Sequence, residues 1–360
     1  MRINLTRDRY WRIGEMGIER EIENRCTLKI VREIASGGMG TVSEAIQIGA
    51  GGFAKRVAIK EILQSSIGDE SCVEMLMAEA KLVANLVHEN IIQIYQLNQS
   101  RGGYYIVMEY VNGLPLSEFI QLHHRMPAKK RIIPTELAVF ITSRIARGLA
   151  YAHRRTDPFG KPLHIVHRDV CPKNIMVTTE GLPKLGDFGI AFVTNQQASD
   201  SNYCAIGKFG YMAPEQAASG NVDFRADIYS LGLVLFELLT MSKCRGKWSD
   251  NLMMAAVNGW IDWDLLPRSV PKALRKLLEK MLASYPSQRF ESTDELAQAL
   301  EMYIYGKGYG PTVVTLEKYL RELAPSLYDF NIHQSPSERR QDIAEMTTAV
   351  VDREESTRVQ

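Results

Sequence analysis

From Thr27 to Tyr110 apolar residues recur at about every second position, the period of a strand with one buried face. The runs 27–35 (TLKIVREIA), 41–48 (TVSEAIQI), 56–63 (RVAIKEIL), 91–97 (IIQIYQL) and 104–111 (YYIVMEYV) each predict a strand. A glycine cluster at 37–40 separates the first two, and Arg101-Gly102-Gly103 is a turn signal between the last two. One stretch breaks the rhythm. Residues 72–87 (CVEMLMAEAKLVANLV) space their apolar side chains three to four apart and predict a helix.

After Asn112-Gly113-Leu114-Pro115-Leu116 the period changes. Residues 135–155 (TELAVFITSRIARGLAYAHRR) predict an amphipathic helix with Thr135 as N-cap, and 227–241 and 272–283 predict two more. A small β-rich lobe over 27–110, with one helix, therefore precedes a larger helical lobe over 111–305, joined near 109–113: an α+β, bilobal plan. Residues 1–26 form an N-terminal extension. The punctuation Gly306-Lys307-Gly308-Tyr309-Gly310-Pro311 marks the end of the compact part, with 306–330 a linker carrying one further helix. Residues 331–360 are polar and read as a disordered tail, in which Thr347, Thr348 and Thr357 could be modified.

Composition narrows the function classes. A formal net charge of +1 over 360 residues provides no global field for nucleic acid or an anionic membrane. The five cysteines are scattered, with no Cys-x-x-Cys pair, which suits a reducing compartment. The apolar run at 231–241 is too short to span a bilayer, and the charged N-terminus lacks the apolar core of a signal peptide. The expectation is a cytoplasmic protein with no transmembrane segment.

Candidate chemistry lies in four places. Ile34-Ala35-Ser36-Gly37-Gly38-Met39-Gly40 sits between two strands, where Gly37 and Gly40 let backbone amides approach a phosphate. Lys60, on the strand Val57-Ala58-Ile59-Lys60, is flanked by apolar residues and needs a partner, which Glu79 on the predicted helix can be. The loop 167–174 (HRDVCPKN) supplies Asp169, able to accept a hydroxyl proton, and Asn174, a neutral oxygen for Mg²⁺. Asp187, in Asp187-Phe188-Gly189, offers a second hard oxygen. Together, in this order, these parts suit phosphoryl transfer.

On these residues, and on Ala213-Pro214-Glu215 and Asp227-Ile228-Tyr229-Ser230-Leu231-Gly232, the chain resembles the protein-kinase family over about 27–303. Met39 between two glycines and the run Tyr211–Gln216 are similar to its bacterial eukaryotic-like Ser/Thr branch. The resemblance implies a bilobal protein-kinase-like fold, ATP and Mg²⁺ as cofactors and proteins as substrates. It implies adenine binding through Glu109-Tyr110-Val111 behind a gatekeeper Met108, with Val42 and Ala58 above the base and Met176 below. It implies that Glu215 pairs with Arg289. Arg168 beside Asp169 resembles kinases switched by phosphorylation, with Thr194, Ser199, Ser201 and Tyr203 as acceptors.

Three departures stand out. Ala35 replaces the first glycine of the loop, Cys171 the lysine of the Ser/Thr-kinase loop, and Lys208 the threonine that faces the catalytic aspartate. The cation absent at 171 can come from Lys208, whereas Lys173, one place before Asn174, is expected to point away from the cleft. The alternatives are a nucleotide-binding pseudokinase scaffold, motivated by Cys171 and Ala35, and a small-molecule phosphotransferase of similar fold.

Overall fold

The computed structural model describes residues 27–37, 40–63, 83–100, 103–127, 131–188, 209–218 and 220–328. Strands β1 (Thr27–Gly37), β2 (Gly40–Ile48), β3 (Ala54–Leu63), β4 (Ile94–Ser100) and β5 (Gly103–Glu109) form an antiparallel sheet in the order β1-β2-β3-β5-β4. Residues directly opposed across antiparallel strands share a face. The registers Val42↔Lys60, Glu44↔Ala58 and Ala58↔Met108 thus put Val42, Ala58, Lys60 and Met108 on one side. The opposite side carries a small apolar cluster of Ala45, Val57, Ile59 and Val107. The alternation in Val57–Lys60 is therefore two faces of one strand, one burying methyl groups and the other presenting a cation.

The strand expected over 91–97 begins only at Ile94. Residues 90–92 instead bond to Leu185, through Leu185 N–H to the Asn90 carbonyl and Ile92 N–H to the Leu185 carbonyl, both 2.9 Å. That stitch joins the lobes. It reaches a second antiparallel sheet of β6 (Gly113–Pro115), β7 (Ile175–Thr178) and β8 (Pro183–Leu185). A Cβ at Gly113 would stand 2.1 Å from the Val177 carbonyl oxygen, so only glycine lets β6 close on β7. Of the helix predicted over 72–87, residues 72–82 lie outside the described residues, Val83 and Ala84 are helical, and 85–87 have already left the helix.

The larger lobe is built on α1 (Leu116–His124), α2 (Thr135–His153), α3 (Pro214–Ala217), α4 (Arg225–Thr240), α5 (Leu252–Val257), α6 (Lys272–Met281) and α7 (Thr293–Tyr305). Helix α4 is buried at every position from Ala226 to Leu239. A helix with no polar face belongs in a core, which accounts for the apolar run noted above. Among the described residues no helix is long and apolar enough to cross a membrane. Thr135 is not the N-cap of α2. Pro134 takes that place with extended backbone (φ −53°, ψ 129°), and Thr135 is already helical.

The compact part does not end at Gly306. Helix α8 (Val313–Leu323), opened by a reciprocal Thr312/Thr315 capping box, buries Leu316 and Leu320 completely in the main core. Tyr319 on α8 hydrogen-bonds His123 on α1 at 2.7 Å, and the Tyr328 hydroxyl donates to the Thr179 carbonyl at 2.8 Å. Gly181, at φ 78°, leaves room for the α8 backbone: a Cβ there would stand 2.1 Å from the Val313 carbonyl oxygen. The segment expected to be a linker is packed structure.

Candidate active site

The loop 167–174 is held from below by one carboxylate. Asp227, fully buried at the start of α4, accepts the backbone N–H of His167 at 2.7 Å and of Arg168 at 2.8 Å. Its Oδ2 also lies 2.9 Å from His153 Nε2. Burial alone would raise the Asp227 pKa, but the hydrogen bond and charge of His153, with the His167 contacts, hold it below the usual value. A buried anion satisfied this way is a rigid anchor.

His167, itself fully buried, faces the Gly186 carbonyl through Nε2 at 2.8 Å, so Nε2 carries the proton. Its Nδ1 then accepts the backbone N–H of Asp169 at 3.2 Å. Arg168 sits at φ 64°, a left-handed conformation that an L-residue adopts at a cost of roughly 1–3 kcal/mol. The two Asp227 bonds on either side of that turn compensate it, and Gln216 Nε2 donates to the Arg168 carbonyl at 2.7 Å. The outcome is a defined position for Asp169.

Asn174 donates from Nδ2 to the Asp169 carbonyl at 2.8 Å, which leaves Oδ1 as the atom available to a cation. Its own carbonyl accepts Gly186 N–H at 2.8 Å, so Asn174 and Asp187 are neighbours by backbone bonding. Asp187 is also left-handed, at φ 57°. Its Oδ1 stands 2.8 Å from Lys60 Nζ, a side chain only 9% exposed. The lysine expected to pair with Glu79 is thus paired here with Asp187, and Glu79 lies outside the described residues. Phe188 packs edge-on against His167 with ring centroids 4.6 Å apart. Behind this group Ile106, Met108 and Phe188 bound a void of about 10 Å³, room for about one water.

In the glycine-rich turn, Ile34, Ala35 and Ser36 are exposed on β1. Ala35 pairs with Val42 and Gly37 with Gly40, and Ser36 Oγ lies 3.3 Å from Thr41 Oγ1 across the hairpin. Gly40 has φ 130°, outside the range of other residues. Val42, Met108, Val111 and Met176 are half-buried and Ala58 is buried. The Glu109 side chain is engaged elsewhere: Lys184 Nζ is 2.9 Å from its Oε1, and Gln93 N–H donates to Oε2 at 3.2 Å. The Glu109 N–H donates to the Gln93 carbonyl, whereas the Val111 amide has no backbone partner among the described residues.

On the other side of Asp169 lies a cavity of about 440 Å³ bounded by Cys171, Asn174, Tyr211, Glu237 and Lys243. Burial, and next the Asp169 charge, push the Cys171 thiol up to about 12, so it is neutral at physiological pH. Lys173, expected to point away, is exposed but borders this cavity. The Tyr211 hydroxyl donates to Glu237, whose pKa is raised chiefly by burial. Glu215 and Arg289 form the expected pair, bidentate at 2.6 and 2.8 Å, with the Arg289 side chain fully buried. Gly38, Met39, Thr194, Ser199, Ser201, Tyr203 and Lys208 lie outside the described residues.

No sequence pattern assigns a role to Asp227, His153, Gln216 or Glu237. For Asp227 and Glu237 there was a signal: carboxylates in an otherwise apolar run must find partners in the core. His153 and Gln216 carry no such mark.

Residues 28–301 match the protein kinase domain family. The chain is 36% identical over 297 residues to the tyrosine-protein kinase MasK of Myxococcus xanthus, covering 81% of this chain and 45% of MasK. It is 29% identical over 326 residues to the serine/threonine-protein kinase PrkC of Bacillus subtilis, covering 89% and 47%. It therefore spans about half the length of these curated relatives. The crystal structure of the Mycobacterium tuberculosis PknI kinase domain superposes with a TM-score of 0.55 at 26% identity, covering 76% of this chain and 95% of that one.

Proposed function

The chain belongs to the protein kinase family, and from that premise we propose that it transfers the γ-phosphoryl group of Mg-ATP to Ser and Thr hydroxyls of proteins, itself included. One observation carries this reading. The buried Asp227 and the Asn174–Asp169 and Asn174–Gly186 bonds tie a base, two hard oxygen donors and the cation Lys60 into one rigid group. The donor set fits magnesium, which takes one or two protein oxygens and completes its shell with phosphate oxygens and water. Asn174 Oδ1 and Asp187 would hold it, and a bound Mg²⁺ neutralises charge on the phosphates.

Lys60 would grip the phosphates, exchanging Asp187 for them. The turn from Ile34 to Gly40 would cover them with its backbone, and the Val111 amide would meet the adenine edge, with Val42 and Ala58 above and Met176 below. Asp169 would accept the hydroxyl proton and orient the attacking oxygen. Lys208 would supply the cation absent at Cys171. A neutral thiol and open space beside Asp169 support that exchange of positions. Thr194, Ser199, Ser201 and Tyr203 are the self-modification candidates. The scattered cysteines support a cytoplasmic setting.

A second reading, transfer to tyrosine hydroxyls, is favoured by the cysteine at 171, where the Ser/Thr-kinase loop has a lysine, and by the name of the MasK relative. Incubation with Mg²⁺ and γ-labelled ATP, followed by phospho-amino-acid analysis, separates the two. Label on serine or threonine supports the first reading, and label on tyrosine alone supports the second. Lys60→Met and Asp187→Asn each abolish incorporation. Undiminished incorporation in either variant refutes the assignment.

A further inference from the structure

Arg245 is one of the most deeply buried side chains of the protein, 1% exposed, and it makes no ion pair with a described carboxylate. It follows α4, in Ser242-Lys243-Cys244-Arg245-Gly246. Its guanidinium is met by neutral oxygens instead. Nη1 donates to the carbonyl of Phe209 at 2.6 Å and of Met212 at 2.9 Å. Nη2 donates to the Tyr229 hydroxyl at 3.2 Å, and Nε reaches the Trp260 carbonyl at 3.4 Å. The charge also lies over the Tyr229 ring, 5.7 Å from its centroid.

A buried charge whose described neighbours are all neutral depends on them for oriented dipoles. Here two of those dipoles belong to the short segment 209–212. Between them stands Tyr211, whose hydroxyl donates to Glu237. Arg245 therefore takes the backbone on both sides of Tyr211, while Glu237 takes its side chain. Tyr211 is a wall of the cavity that also contains Asp169 and Cys171.

We propose that Arg245 is a positioning residue for the protein acceptor: it fixes the Phe209–Met212 segment and thereby the Tyr211 wall opposite Asp169. This rests on the protein-kinase reading above. Only arginine can serve, because a guanidinium presents several N–H groups in one rigid plane. Lysine keeps the charge but cannot hold two carbonyls and a hydroxyl in that fork. Methionine keeps much of the volume and leaves the two carbonyls without their donor. Arg245 touches neither phosphate nor Lys60, so its effect falls on the acceptor and not on ATP.

The test is steady-state kinetics of the full chain with an acceptor protein such as myelin basic protein and with Mg-ATP, at a temperature well below each variant's unfolding transition. Arg245→Lys and Arg245→Met should each raise KM for the acceptor about tenfold, the loss of roughly one charge-assisted hydrogen bond. KM for ATP should stay within about twofold, since the contacts are remote from Lys60. Tyr211→Phe, which cuts only the Glu237 bond, should couple with Arg245→Lys in a double-mutant cycle. Acceptor KM unchanged in both Arg245 variants overturns the inference. So does a parallel rise in both KM values, because a merely structural role moves them together. If Arg245→Met does not fold, Arg245→Lys and the cycle still decide. No transfer by the wild-type protein to itself or to any acceptor overturns the kinase reading and this inference with it.

Discussion

Replacing Leu320 with alanine asks whether α8 belongs to the folded body in solution. Leu320 is completely buried and packs into the same core as α1 and α2. Truncating a buried leucine removes its transfer free energy and leaves a cavity that neighbours fill only in part, about 2–5 kcal/mol. The paired control is Val314→Ala on the same helix, where the side chain is 50% exposed and the change should cost less than about 0.5 kcal/mol. Urea denaturation followed by far-UV circular dichroism reads both as shifts in midpoint at unchanged slope. Tyr319→Phe belongs in the same series. It leaves the buried His123 Nε2 without the Tyr319 hydroxyl, at a cost of about 1–3 kcal/mol. If Leu320→Ala shifts the midpoint no more than Val314→Ala, α8 is not seated and the argument fails.

Further outcomes follow from single groups. Burial lowers the His123 pKa below its ordinary value, so the unfolded chain binds more protons as pH falls through about 6.5. Its stabilising contribution is present above that pH and is lost below it, at up to about 1.4 kcal/mol per pH unit, and His123→Gln should flatten that part of the stability–pH curve. Breaking the buried Glu215–Arg289 pair by Arg289→Met should cost about 3–5 kcal/mol in denaturation midpoint, while the double replacement with Glu215→Met should cost less; equal losses would discount the pair. Cys171, held up at about 12, is thiolate to about one part in ten thousand at pH 8, so iodoacetamide should label it in the native protein far more slowly than after unfolding; equal rates would contradict the raised pKa. Asp227→Asn retains the size of the side chain but gives a donor to sites where backbone N–H groups already donate. It should lower kcat by at least about tenfold, with KM for ATP nearly unchanged; equal losses in both would place its effect elsewhere.

Local pattern was enough wherever one residue's character sets its environment. Alternation in Val57–Lys60 separates a wholly apolar face from the one bearing Lys60, and the unbroken apolar run in α4 requires a core position. Ordered spacing from Lys60 to Asp187 pointed to the protein kinase family, because a strand cation, a loop carboxylate and hard oxygen donors have few other uses together. Pattern misplaced what depends on a neighbour. Thr135 looks like a cap until Pro134 takes the position, and Gly306–Pro311 looks like an exit until the next helix is found packed. Glu109 enters the sequence reading only through its backbone, and its carboxylate finds Lys184 from β8, a partner no local pattern names.

The sequence by itself determined the two-lobed plan, the strand faces and the residue types of the site, since these follow from periodicity and side-chain chemistry within short windows. Only the tertiary structure decided which groups meet. Asp227 reaches back about sixty residues to the loop it anchors, Arg245 reaches back thirty-six to Phe209, and Tyr319 reaches back 196 to His123. Such contacts are selected by the shape of the assembled core, where a buried charge or ring must find a partner from whatever segment packing brings near. No local window contains that partner.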